Sequence, residues 1–146
     1  ESGFFATALP PLDLAAADFD GDGADDLALL VSDGGGSGFF VPLVDEAETG
    51  WRALEPLATG ARPYRILCGD LDDDGRDEVL ASAQNSHNID LWIPRPAPAT
   101  GFARAANLGA SIGPLDLLLA DLVGDGAREL VVANAFSDQL SVIRTR

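Results

Sequence analysis

Asp70-Leu-Asp72-Asp-Asp74-Gly75-Arg76-Asp-Glu78, running straight into the apolar residues 79–81, is one of three versions of the same acidic, glycine-centred loop. The others are Asp18-Phe-Asp20-Gly-Asp22-Gly23 and Asp121-Leu-Val123-Gly-Asp125-Gly126. Each has a further acid four residues after its last alternating carboxylate, at Asp26, Glu78 and Glu129, and each is followed by a strand-like apolar run: 27–31, 79–81 and 130–133. The first acids of successive loops stand 52 and 51 residues apart, a period at which solenoids, arrays and propellers are built. A helix-loop-helix reading needs amphipathic helices on both sides. The flanks are instead short apolar runs bounded by Pro, Gly, Asp and Ser, which read as buried strands.

The repeat extends beyond the loop. A proline stands seven residues before each first acid, at Pro11, Pro63 and Pro114, and marks entry to a first strand. A second strand leaves the loop. A polar turn follows (32–38, 84–88, 134–138), then a third strand (39–44, 89–93, 140–143). A fourth opens on Gly plus an aromatic at Gly50-Trp51 and Gly101-Phe102. Four short antiparallel strands in about fifty residues make a propeller blade. The expected fold is therefore all-β, with blade 1 over about 11–60, blade 2 over about 63–110 and blade 3 over about 114–146. Residues 3–9 begin with the same Gly-aromatic opening and are expected to be a fourth strand supplied across the closure. Three blades fall short of the roughly four to eight of a closed ring. Either a second copy completes it, giving a six-bladed homodimer, or the blades continue in a longer chain. The absence of Met indicates less than a whole translation product.

Alternating carboxylates closing on a glycine suit calcium, which takes six to eight hard oxygens at about 2.3–2.6 Å and tolerates irregular geometry. In the first loop Asp18, Asp20, Asp22, the carbonyl of Ala24 and Asp26 are the expected ligands. In the second they are Asp70, Asp72, Asp74, the carbonyl of Arg76 and Glu78. The third offers Asp121, Asp125, the carbonyl of Ala127 and Glu129, but Val123 occupies the second carboxylate position and Arg128 adds a positive charge, so weak or absent binding is expected there. Asp-Gly turns arise for ordinary backbone reasons. Four or five carboxylates within nine residues, however, repel one another unless a cation separates them.

The pattern Asp-x-Asp-x-Asp-Gly-x-x-Asp before an apolar strand resembles the FG-GAP or VCBS repeat of integrin alpha-subunit propellers. The resemblance implies a calcium-bearing propeller in cell-surface or secreted proteins that serves adhesion or recognition of a protein or carbohydrate ligand, as in some lectins. The Phe-Gly-Gly-Ala-Pro-like signature of the integrin form is absent, and the simpler bacterial-type repeat is the nearer likeness.

Composition fits this expectation. Twenty-four acids against nine arginines and no lysine leave a net charge of −15, which excludes nucleic-acid binding through a basic face. Eleven of the acids occupy the expected liganding positions. No run of about 18 apolar residues is present, so no membrane insertion is expected, and calcium chemistry suggests an extracellular or cell-surface setting. The single Cys68 is expected to be buried filler. Ligand contacts are expected on the face opposite the calcium loops, at Tyr64, Asn85, His87, Asn88, Asn134 and Asp138. Trp51 and Phe102 are read as packing between blades and Trp92 as half buried. No Ser, His and Asp set stands out and His87 is the sole histidine, so no enzyme is expected. The alternatives are a calcium-rigidified structural spacer or, from fold analogy alone, a propeller-based hydrolase or lyase.

Overall fold

A computed structural model describes residues 6–46, 50–96 and 100–145. Among these the chain is all-β, with twelve strands in three antiparallel sheets and no helix. No helix is therefore long and apolar enough to cross a membrane. The first sheet has the order β1 (Pro11–Ala17), β2 (Asp26–Ser32), β3 (Gly38–Glu46), β4 (Gly50–Ala53), with the short β5 (Leu57–Ala58) also paired to β3. The second is β6 (Pro63–Gly69), β7 (Glu78–Ala83), β8 (Asn88–Pro94), β9 (Phe102–Gly109). The third is β10 (Pro114–Ala120), β11 (Glu129–Asn134), β12 (Gln139–Arg144).

Each first strand opens on its proline, a place where the missing N–H costs no ladder bond, and each shifts register just after it, at Pro11/Asp13, Pro63/Ile66 and Pro114/Asp116. The residue before the proline holds the next turn in all three sheets. Pro10, Arg62 and Gly113 accept backbone hydrogen bonds from Ser32, Gln84 and Ala135 at 3.2, 2.9 and 2.9 Å. The repeat is thus one of hydrogen bonds as well as of sequence.

Two apolar layers stack the sheets. Between the first and second lie Ala28, Leu30 and Phe40 against Ile66, Val79 and Trp92. Phe102 stands at 4.9 Å from Phe19 and 5.0 Å from Phe40 between ring centroids, in edge-to-face geometry, the arrangement aromatic quadrupoles favour. Between the second and third lie Leu71, Leu80 and Ile89 against Leu117, Leu130 and Val132. Phe102 therefore packs between sheets as expected, whereas Trp51 is exposed on the edge strand β4. Trp92 is fully buried against Phe40 rather than half buried, because its strand is interior and its face meets the first sheet. Cys68 packs against the first layer, where burial, then the nearby Asp77 charge, push its thiol well up.

The fourth strand of the first sheet is divided. Pro56 has no N–H to donate, and pairing passes from β4 to β5 across residues 54–56, with the Leu54 N–H reaching the Pro42 carbonyl at 2.9 Å. Of the expected N-terminal strand, residues 3–5 lie outside the described residues. Residues 6–10 form no strand within this chain, and Leu9 packs on Leu29, Val31 and Leu43 of the first sheet.

Candidate metal centre

The three nine-residue loops, 18–26, 70–78 and 121–129, connect the first and second strands of the three sheets. Their backbones are held by the same bonds. The first-position carboxylate is bidentate to the loop: Asp18 accepts from the N–H of Gly21 at 2.7 Å and Gly23 at 2.8 Å. Asp70 accepts from Asp74 at 3.2 Å and Gly75 at 3.0 Å, and Asp121 from Gly124 at 2.6 Å and Gly126 at 2.9 Å. The backbone N–H groups of Gly126, then of Gly124, hold the Asp121 carboxyl below the usual range. The fifth-position carboxylates of Asp22, Asp74 and Asp125 accept from the seventh-position N–H groups of Ala24, Arg76 and Ala127 at 2.8, 3.0 and 3.0 Å.

This winding needs a left-handed residue at the sixth position, and Gly23, Gly75 and Gly126 supply it with φ of 87°, 84° and 87°. Only glycine adopts that conformation without a Cβ penalty.

The ninth-position acid comes from below the loop, at the start of the buried second strand. Asp26, Glu78 and Glu129 are buried, and each accepts the N–H of the loop's second residue: Phe19 at 3.3 Å, Leu71 at 2.7 Å and Leu122 at 2.9 Å. The bond to Leu71 uses Glu78 Oε2. Glu78 Oε1 is buried with no hydrogen-bond partner. A buried carboxylate oxygen in that condition is costly, and here it is one of a cluster of carboxylates. Burial pushes the Glu78 carboxyl up to about 7; the Leu71 N–H opposes this, while the charges of Asp72, Asp70 and Asp74 add to it.

Ligand-capable oxygens of Asp70, Asp72 and Glu78 lie within 4.8 Å of one another, as do those of Asp18, Asp20 and Asp22. These hard-oxygen clusters fit calcium, and the unpartnered Glu78 oxygen is what a cation would satisfy. Asp74 lies outside the second cluster because its carboxylate pairs with the Arg76 guanidinium, which holds it below the usual carboxylate range. Asp26 lies outside the first. Among the described residues the third loop forms no three-acid cluster, and Val123 stands exposed in place of a carboxylate.

The residues expected to contact a ligand are divided by the fold. Tyr64 is exposed at the start of β6, and Asn85, His87 and Asp138 are not buried. The Nδ1 of His87 accepts the Gly113 N–H at 3.3 Å, which ties this turn to the connection entering the third sheet. His87 and Asp138 occupy equivalent left-handed positions, with φ of 55° and 51°. Asn88 and Asn134 are buried. Asn88 donates to Asp90 at 2.9 Å and Asn134 to Ser141 at 2.9 Å, so these amides brace turns from inside.

Sequence reasoning passed over Asp90, which is fully buried. It accepts from the Gly60 N–H, from Asn88 and from the Arg104 guanidinium. A lone acid in an alternating strand gives no sign of these partners, two of which come from other strands or connections. No curated protein matches the chain. A family model for the FG-GAP-like repeat matches residues 70–132, from the first acid of the second loop through the third loop into β11, so this stretch of the chain is similar to an FG-GAP-like repeat.

Proposed function

We propose that the chain is a calcium-binding β-propeller module in which each sheet is a blade, acting outside the cell in adhesion or in recognition of a protein or carbohydrate ligand. The observation that carries the calcium reading is Glu78: its Oε1 is buried and unpartnered beside the carboxylates of Asp70 and Asp72. An ion there would satisfy the orphan oxygen, neutralise the mutual repulsion of the loop and add binding free energy to folding. The first loop offers an equivalent cluster, and the third, lacking a carboxylate at Val123, is assigned little or no affinity. No catalytic step forms part of this reading.

Isothermal titration of the EGTA-treated protein with calcium tests it, with two ions per chain and a rise in Tm expected. Absence of heat and of any Tm change would overturn it.

A second reading, the calcium-rigidified spacer, is favoured by one observation. Asn88, Asn134 and the His87 imidazole are engaged within the fold rather than offered to a partner. Saturable binding to a glycan or peptide array by the calcium-loaded form separates the two readings.

A further inference from the structure

Between the outer strands of the first and second sheets lies an open cleft of about 470 Å³, within the range of roughly 300–1,000 Å³ usual for ligand sites. Both walls belong to this chain. Arg52 of β4 and Leu57 of β5 line one side, and Arg95 and Thr100, which flank the β8–β9 connection, line the other. Arg52 opposes Val44, which is in step along β3 with Phe40 of the layer between the two sheets. Alternation therefore turns Arg52 toward the second sheet and Trp51 away from it. A smaller adjoining hollow of about 280 Å³ shares the two arginines and reaches Asp20 of the first loop.

In a chain of net charge −15, two of nine arginines meet at this cleft. Arg95 is held in place there. Its Nε donates to the Phe102 carbonyl at 3.2 Å and its backbone N–H to the Gly101 carbonyl at 2.9 Å. Its two terminal amino groups have no protein partner among the described residues. A guanidinium anchored through Nε keeps a planar pair of donors that matches a carboxylate. Arg52 is engaged within the chain and adds charge rather than spare donors.

The apolar part of the lining is aliphatic, from Pro42, Leu54 and Leu57. The aromatic residues of the cleft, Phe19 and Phe102, are only 5% and 7% exposed and leave almost no ring surface to stack on. Such walls suit an aliphatic side chain better than a sugar ring. Two acids also line the space, Glu55 and Asp20. Asp20 belongs to the first candidate metal cluster with Asp18 and Asp22, so an ion in that loop would neutralise one of the two charges that repel an anion.

We propose that this cleft is a calcium-dependent docking site for an acidic peptide, whose carboxylate pairs with the Arg95 guanidinium while a neighbouring aliphatic side chain lies against Leu54 and Leu57. The docking stands on the cleft itself; its calcium dependence rests on the metal reading above. By linkage, the peptide strengthens calcium binding in the first loop as much as calcium strengthens peptide binding.

The test is a nitrogen-15 NMR titration of the whole chain with the end-blocked tetrapeptide glycyl-aspartyl-leucyl-glycine, its asparaginyl counterpart and glucuronate, each in calcium and in EGTA. Saturable shifts at the Arg95 side chain and the Gly101 amide are expected with the aspartyl peptide, weakened about fivefold or more in EGTA. Arg95→Ala is expected to weaken binding about tenfold, the loss of roughly one hydrogen bond to a charged group. Glu55→Gln removes a repelling acid and is expected to tighten binding about threefold, a gain that a misfolded variant could not give. No shift at the cleft, or equal binding of the asparaginyl peptide, overturns the inference and leaves the calcium reading standing. Glucuronate binding as tightly as the aspartyl peptide overturns the peptide assignment in favour of an acidic sugar. Peptide binding indifferent to EGTA in a protein that takes up calcium overturns the calcium dependence, whereas peptide binding by a protein that takes up none supports the docking and overturns the metal reading.

Discussion

Asp77, in the second loop, grips Asp18, the first acid of the first loop, through two backbone-directed hydrogen bonds of 2.9 and 2.8 Å running in opposite senses. The two candidate calcium sites are thereby joined rigidly, although 59 residues separate the partners. Asp77→Ala removes the carboxylate acceptor and leaves the partly buried Asp18 N–H unsatisfied. Expected is a loss of about 1–2 kcal/mol of stability in urea unfolding, with weaker calcium binding in the first loop although no proposed ligand is changed.

Glu78 sets a pH dependence. Its folded pKa of about 7 lies above its usual value of 4.5, so between these the native state keeps a proton that the unfolded chain loses. This contribution to calcium-free stability is fully present below about pH 4.5 and is lost as pH rises through 7. Calcium favours the ionised form, so the calcium-induced rise in Tm should grow from pH 5 to pH 8. Thermal scans with Glu78→Gln should show a flatter profile for the calcium-free protein and one calcium fewer by titration.

Val123→Asp places a carboxylate at the third position of a loop whose Asp121 and Asp125 already make the hydrogen bonds of the other two loops. The expected outcome is one additional calcium per chain in native mass spectrometry. An unchanged ion count would assign the defect to the neighbouring Arg128 rather than to the missing oxygen.

Asp90→Ala strips an acceptor from the Gly60 N–H, the Asn88 amide and the Arg104 guanidinium at a fully buried point. The Arg104 side chain is half exposed, so the expected cost is about 1–3 kcal/mol, the range for leaving a buried donor without its acceptor, read from denaturant midpoints. Arg104→Ala leaves the other two partners in place but abandons the buried charge, and a comparable loss is expected.

Gly75→Ala tests the loop backbone itself. A Cβ would meet nothing within 4 Å, but φ is 84°, so the expected penalty of about 1–2 kcal/mol is conformational. It should appear equally in calcium and in EGTA if the loop is wound the same way in both.

The order of strands and loops was legible in the sequence because its causes are local. A proline opens each first strand, a glycine at the sixth loop position permits a left-handed turn, and an acid begins each second strand, all at a period of 51 or 52 residues. Alternating carboxylates likewise declared the candidate ligands, since side chains two apart in a tight loop can converge whatever the rest of the chain does. The tertiary structure decided everything that depends on which sheet lies against which. It buried Trp92 against Phe40, turned Asn88 and Asn134 inward, and isolated an oxygen of Glu78. It also left Leu14 and Leu140 exposed while their repeat equivalents are covered. Repeated sequence makes these positions alike, and only stacking, which ends at the first and third sheets of this chain, makes them differ.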